Sequence, residues 1–185
     1  SASIELAMSV VLKGLYNLDV DMIKMVKLSQ KAENSFIGVN CGIMDQFAIG
    51  MGKKDSAILL DCNTLKYDYA PVVLKDAAIV IGNTNKRRGL ADSKYNERRG
   101  ECERALSQLK EKLNITSLGN LSIAEFEINK EIITNEIDRK RAKHAVYENQ
   151  RTLEAVEKLG QGDIEAFGKL MNQSHISLRD DYEVT

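Results

Sequence analysis

The chain has 185 residues, 43% apolar and 29% charged, with one proline and 12 glycines, the make-up of a globular chain able to bury a core and not of a disordered tail. Its 26 basic and 27 acidic residues leave a net charge of −1, so the overall balance favours neither nucleic acid nor an anionic membrane as partner. No run approaches the roughly 20 apolar residues of a membrane span and the start lacks a signal-peptide pattern, while Cys41, Cys62 and Cys102 are odd in number and lack metal-ligand spacing, which excludes a disulfide framework and argues against zinc. A cytoplasmic protein with reduced thiols is expected. The chain opens on Ser1-Ala2-Ser3 and runs directly into a helical pattern, without an initiator methionine, and so reads as cut.

From Ala2 to about Tyr16, Ile4, Ala7, Met8, Val11, Leu12 and Leu15 recur at helical spacing, predicting a helix that buries this stripe. A second helix, capped by Asp19 or Asp21, carries Met22, Met25, Val26, Ser29, Ala32 and Glu33 on one stripe, which turns a carboxylate inward. Gly38 and Gly42 bracket a loop, and Ile43 to Met51 forms a short helix with Asp45 in its first turn. Short apolar runs at Ala57–Leu60 and Ala77–Ile81, with the alternating stretch Lys66–Tyr69, predict a small, mostly antiparallel sheet.

Helices then dominate. Asp92 to Leu113 spaces Tyr95, Cys102, Leu106, Leu109 and Leu113 on one face, and Ile137 to Leu159 does so with Ala142, Ala145, Val146, Leu153 and Val156 until Gly160 and Gly162 stop it. A last helix runs from Asp163 towards Ile176 through Ile164, Phe167, Leu170 and Met171, and Ser122 to Ile128 adds a short one. The fold class is thus α+β and helix-rich, with a small sheet between helices and no repeat or low-complexity linker.

Four segments carry a resemblance. Ser1-Ala2-Ser3-Ile4-Glu5 is similar to the tail of a Gly-rich phosphate loop. Cys41-Gly42-Ile43-Met44-Asp45-Gln46-Phe47 matches a characteristic segment. Asn83-Thr84-Asn85-Lys86-Arg87-Arg88 with Ser93-Lys94-Tyr95-Asn96-Glu97-Arg98-Arg99 resembles a third. Met171-Asn172-Gln173-Ser174-His175 with Leu178-Arg179-Asp180-Asp181-Tyr182-Glu183-Val184 resembles a fourth. Their order and spacing resemble the galactokinase branch of the GHMP kinase superfamily. The family's opening Arg- and His-containing motif, the glycines of its phosphate loop and its C-terminal Gly-rich motif are absent from this sequence. The resemblance therefore implies an internal piece of such an enzyme, inactive alone, with residues 1 to about 90 ending a GHMP N-terminal domain of the ribosomal-protein-like type and about 91 to 185 starting a helical C-terminal region.

What the resemblance implies is transfer of the ATP γ-phosphate to the C1 hydroxyl of galactose with Mg2+, a reaction that needs a proton acceptor, a metal and positive charge rather than a covalent intermediate. Asp45, just inside a short helix beside Gly42, is the candidate acceptor; the plainer reading is a helix-start aspartate favoured by the dipole. Glu33 and Ser1 are implied to share the magnesium, with Ser1 and Ser3 on the nucleotide side. Without the family, Glu33 would be a salt-bridge partner or a solvent-facing last turn. Gly42 and Tyr95 match galactose contacts, Tyr95 being otherwise a core residue, and Arg87 would neutralise phosphate or orient Asp45, between Lys86 and Arg88 in a solvated turn.

Arg98 and Arg99 are expected to pair with Glu97, Glu101 and Glu103. His144 with Glu148 reads as a hydrogen bond on a helix surface rather than a metal face, and His175 near Asp180 and Asp181 as a helix-end histidine rather than a relay. Rival readings are a kinase for N-acetylgalactosamine or another sugar, and a non-catalytic sugar sensor. Apolar surface bared by truncation predicts self-association.

Overall fold

A computed structural model describes residues 1–83, 85 and 94–184, apart from the side chain of Tyr95. Contacts divide the chain into two compact units, one of residues 1–72 and 82–95, the other of residues 73–81 and 96–185.

In the first unit α1 (Ala2–Tyr16) ends on Asn17 in the left-handed conformation at φ 50°, which a short polar side chain tolerates. α2 (Met22–Ala32) starts at Asp21, whose carboxylate accepts from the Lys24 amide at 2.7 Å, so of the two candidate caps Asp21 is the one used. The helix then widens into one π-helical turn, Glu33–Ile37, closed by Gly38 at φ 82°, a conformation that suits glycine. α3 spans Met44–Met51, and an antiparallel hairpin pairs β1 (Ser56–Leu60) with β2 (Tyr67–Pro71), from Ser56 opposite Pro71 to Leu60 opposite Tyr67. Asp61 shapes its turn by accepting from the Asn63 amide and the Thr64 hydroxyl, both at 2.8 Å. Leu6, Met25, Val26, Ile43 and Phe47 form the core, with Ile58, Leu60 and Tyr67 of the hairpin packed against it.

Two expectations are corrected here. The buried side of α1 is Ala2 and Leu6, with Glu5 and Ser9 half-buried, whereas Ile4, Met8, Val11, Leu12 and Leu15 are exposed. This helix is apolar on more than one side, so periodicity alone selects the wrong stripe. Residues 77–81 form no strand: Ile79, Val80 and Ile81 are exposed and pair with nothing in the ladder, and an apolar run becomes a strand only where a neighbour takes its backbone hydrogen bonds. Among the described residues the sheet has two strands.

The second unit holds α4 (Tyr95–Lys110) from Asn96 onward, α5 (Ile123–Asn129), α6 (Glu136–Gln161) and α7 (Ile164–Asp180). Ser122 and Glu125 make a reciprocal capping box, Asn135 and Asp163 cap α6 and α7, and Gly162 ends α6 at φ 73°. Its core is Ala105, Leu109, Leu118, Leu121, Phe126, Ile133, Ala142 and Val146. No helix among the described residues is long and apolar enough to cross a membrane.

Candidate functional site

The first unit gathers its polar residues where α1, the end of α2 and α3 meet. Glu33 opens the π-helical turn and is 4% exposed, pointing inward as its stripe predicts. Its neighbour is neither a cation nor a basic side chain but the carboxyl of Glu5 from α1. Burial, then the Glu33 carboxyl beside it, hold the Glu5 carboxyl above the ordinary glutamate range, against a hydrogen bond from the Gln46 side chain that lowers it. Gln46, in the first turn of α3, is 3% exposed.

The loop that follows the π turn is tied back to α2. Gln30 donates to the Cys41 carbonyl at 3.3 Å, and the Cys41 thiol donates to the Asn34 side-chain oxygen at 3.3 Å. These bonds fix the entry into α3 and hence Asp45, which lies exposed one residue before inward-facing Gln46. Burial pushes the Cys41 thiol up, and the charges of Glu33, Glu5 and Asp45 push it further. One thiol therefore feels all three carboxylates. Gly42 is exposed, and a Cβ built on it would meet nothing within 4 Å, so room for a ligand, not backbone strain, is what the missing side chain provides.

Ser1 is exposed at the N-cap of α1 without a side-chain capping bond, and Ser3 is exposed in the first turn. Tyr95 begins α4, with its side chain outside the described residues. Arg87, Lys86 and Arg88 lie outside them altogether. The structure thus brings Glu33 together with Glu5 and Gln46, two residues sequence reasoning passed over, although Glu5 stands one helical turn beyond Ser1 and flanks buried Leu6.

The second unit resolves the remaining candidates. His144 does not meet Glu148 on a helix surface: it is buried, its Nδ1 lies 2.9 Å from the Ser177 hydroxyl, and its ring stacks on Tyr182. Glu148 pairs with Arg151 and accepts from Ser174 at 2.6 Å. The correction follows from α7 covering that side of α6. Arg98 and Arg99 do pair with Glu97, Glu101 and Glu103. A cavity of about 250 Å3 lined by Lys143, Tyr147, Arg151, Gln173, Ser177 and Asp181 holds none of the predicted site residues, and its cations are already paired with Asp181 and Glu148.

Residues 1–53 match the family model of the GHMP kinase N-terminal domain. A galactokinase from Clostridium acetobutylicum is 63% identical over 185 residues, all of this chain and 48% of that protein. One from Fusobacterium nucleatum is 65% identical over 186 residues, again 100% of this chain and 48% of that protein. Over its whole length the chain is similar to galactokinases, and over residues 1–53 to the N-terminal domain of GHMP kinases. The crystal structure of Lactococcus lactis galactokinase complexed with galactose superposes at a TM-score of 0.96 with 55% identity, covering 100% of this chain and 48% of that one. The α+β, helix-rich architecture described above is accordingly that of the matching part of this galactokinase, and the chain spans about half the length of the curated galactokinases it matches.

Proposed function

We propose that this chain carries the phosphoryl-transfer centre of an ATP-dependent galactokinase, with galactose and ATP as substrates and galactose 1-phosphate as product. The observation that carries the reading is that all of this chain matches 48% of a galactokinase solved with galactose. Buried Glu33 with the Glu5 carboxyl beside it, and Asp45 exposed at the start of α3, support it from within the chain.

In this reading Asp45 accepts the proton of the C1 hydroxyl while that oxygen bonds to the γ-phosphorus and the bond from that phosphorus to the β–γ bridging oxygen breaks, releasing ADP. Its exposure at the start of α3 leaves the carboxylate open to an incoming hydroxyl, and the bonds from Gln30 to the Cys41 carbonyl and from the Cys41 thiol to Asn34 hold the loop that aims it. Gly42 and Tyr95 contact the sugar, and Arg87 orients Asp45 or neutralises phosphate. Ser1 and Ser3 meet the nucleotide. Glu33 and Ser1 hold magnesium, which when bound supplies charge stabilisation for the terminal phosphates. Buried Glu33 suits this, because an inward carboxylate beside another acid calls for a cation. In this reading the activity is cytoplasmic, in keeping with free Cys41, Cys62 and Cys102.

The test is a galactokinase whose matching segment is replaced by this chain. Asp45→Asn there should keep nucleotide binding and lose turnover by about 10²–10⁴-fold in a coupled ADP assay. Near-normal turnover would remove Asp45 from the role of base.

A further inference from the structure

Buried Glu33 and half-buried Glu5 meet where α1 and the π-helical turn touch, and the atoms around this pair narrow the chemistry that suits them. Glu33 is 4% exposed and the Glu5 carboxyl lies against it. Glu5 Oε2 and Gln46 Oε1 are both buried acceptors that receive no hydrogen bond. The amide NH2 of Gln46 already serves Glu5, so its oxygen is the end left over. Buried polar atoms are normally satisfied, and two orphans on touching side chains mark a place where an electron-pair acceptor is absent.

The chemistry of the donors is uniform: carboxylate oxygens and one amide oxygen, with no nitrogen or sulfur ligand. That set selects a hard divalent ion, magnesium, manganese or calcium. Among the described residues no three His, Cys, Asp or Glu side chains are placed to hold a metal, so a cation at this pair has to draw on a neutral oxygen as well. Gln46 supplies one, and Ser1 stands one helical turn before Glu5 on α1, where residues four apart share a face.

We propose that Glu5 is itself a divalent-cation ligand, and that Glu5, Glu33 and the side-chain oxygen of Gln46 form an oxygen cage built by α1, the π-helical turn and α3. This rests on the reading of Glu33 as a magnesium ligand and extends it: the ion is held by the protein on three sides before any nucleotide arrives. It also gives Gln46 a reason to be buried beside Asp45, since the residue that closes the cage is the chain neighbour of the one that faces the sugar.

Mn2+ is the probe, titrated into the chain at pH 7 and followed by electron paramagnetic resonance and calorimetry, with circular dichroism of each variant as a check on folding. The wild-type chain should bind one Mn2+ and melt at a higher temperature with it than without it. Glu5→Gln and Glu33→Gln should each weaken binding at least 10-fold, and Gln46→Leu several-fold. Glu5→Gln keeps the shape of the side chain and removes one of two facing charges, so without metal its melting temperature should equal or exceed that of the wild type.

Loss of binding in Glu33→Gln with normal binding in Glu5→Gln overturns the cage and leaves the Glu33 assignment standing. The reverse pattern keeps Glu5 as a ligand and removes Glu33. Absence of Mn2+ binding by the wild-type chain at millimolar metal also overturns the cage, yet spares the Glu33 reading, in which nucleotide oxygens complete the shell.

Discussion

Replacing Arg141 with methionine is the sharpest test of how the second unit is held together. Arg141 is 1% exposed and makes three bonds: its Nε to Glu101 at 2.8 Å, one terminal nitrogen to the Asp181 carbonyl at 2.6 Å and the other to the Glu183 carboxylate at 2.8 Å. Arg98 shares Glu101 at 2.9 Å and donates to the Tyr182 carbonyl at 2.7 Å. The cluster thus pins residues 181–183 to α4 and α6. Removing one member of a buried ion pair costs about 3–5 kcal/mol, because the partner stays buried without compensation; methionine fills much of the volume, so the charge and not a cavity is what is lost. The exposed Arg99–Glu103 pair on α4 is the control, and Arg99→Met should cost no more than about 0.5 kcal/mol. Amide hydrogen exchange of α6 gives the opening free energy of this unit directly. Adding Glu101→Leu should recover part of the loss, with a coupling of about 0.5–3 kcal/mol, since a pair removed together leaves less uncompensated charge. A loss below about 1 kcal/mol for Arg141→Met, or single losses that simply add in the double variant, would refute the reasoning. The network also fixes a pH dependence. Burial raises the Glu101 carboxyl, but the hydrogen bonds from Arg141 and Arg98 overcome this and leave it below the usual glutamate value of 4.5. A depressed carboxyl contributes stability above its unfolded value and loses it as pH falls through its folded one, so the wild-type chain should lose more stability than Glu101→Gln as pH drops below 4.5.

His144 should remain neutral well into acid. Burial lowers it from 6.5 to about 4, helped by Arg151 and Arg141 and opposed by Asp181. Below pH 6.5 the unfolded chain takes up a proton that the folded one refuses, so about 3 kcal/mol of stability is lost between pH 6.5 and 4. The chain has 2 histidines, so an NMR titration separates them easily, and a His144 midpoint near 6.5 would contradict its buried bond to Ser177. Two glycines should respond to alanine in opposite directions. A Cβ on Gly50 would sit 2.7 Å from Val26 Cγ2 and 3.2 Å from Met22, and overpacking of about 1–3 kcal/mol outweighs a helix-propensity gain of about 1 kcal/mol. On Gly168 a Cβ meets nothing within 4 Å, and Gly168→Ala should stabilise α7 by about 0.5–1 kcal/mol. Thermal melts of the two variants should move apart, and a rise for Gly50→Ala would show that α3 is not pressed against α2.

Most helices were legible because their signals are local. Asp21, Ser122, Asn135 and Asp163 act within three residues of themselves, and the stripe of α2 has one apolar face, so composition and spacing agree; on α6 Ala142 and Val146 of the predicted stripe are buried, while Leu153 is exposed. Where the sequence misled, the deciding partner was elsewhere in the chain. Residues 77–81 have the composition of a strand but join no ladder among the described residues. α1 has an apolar stripe on each side, and the choice between them was made by α2 and α3, which packed on Ala2 and Leu6. His144 and Glu148 sit at the spacing of a helix-surface pair, but α7 took both.

The same limit governs the site. The inward turn of Glu33 could be read from its own helix, since it extends a stripe that includes Met25, Val26 and Ser29. What Glu33 would meet could not, because that depends on the face α1 turns to α2, and the stripe chosen for α1 was the exposed one. On the Ala2–Leu6 side Glu5 turns inward beside Leu6, and two inward acids on neighbouring helices call for a cation. A buried carboxylate is cheap to find by periodicity and expensive to leave alone. The useful question at sequence level is therefore not whether one acid is buried, but whether a second element places another against it.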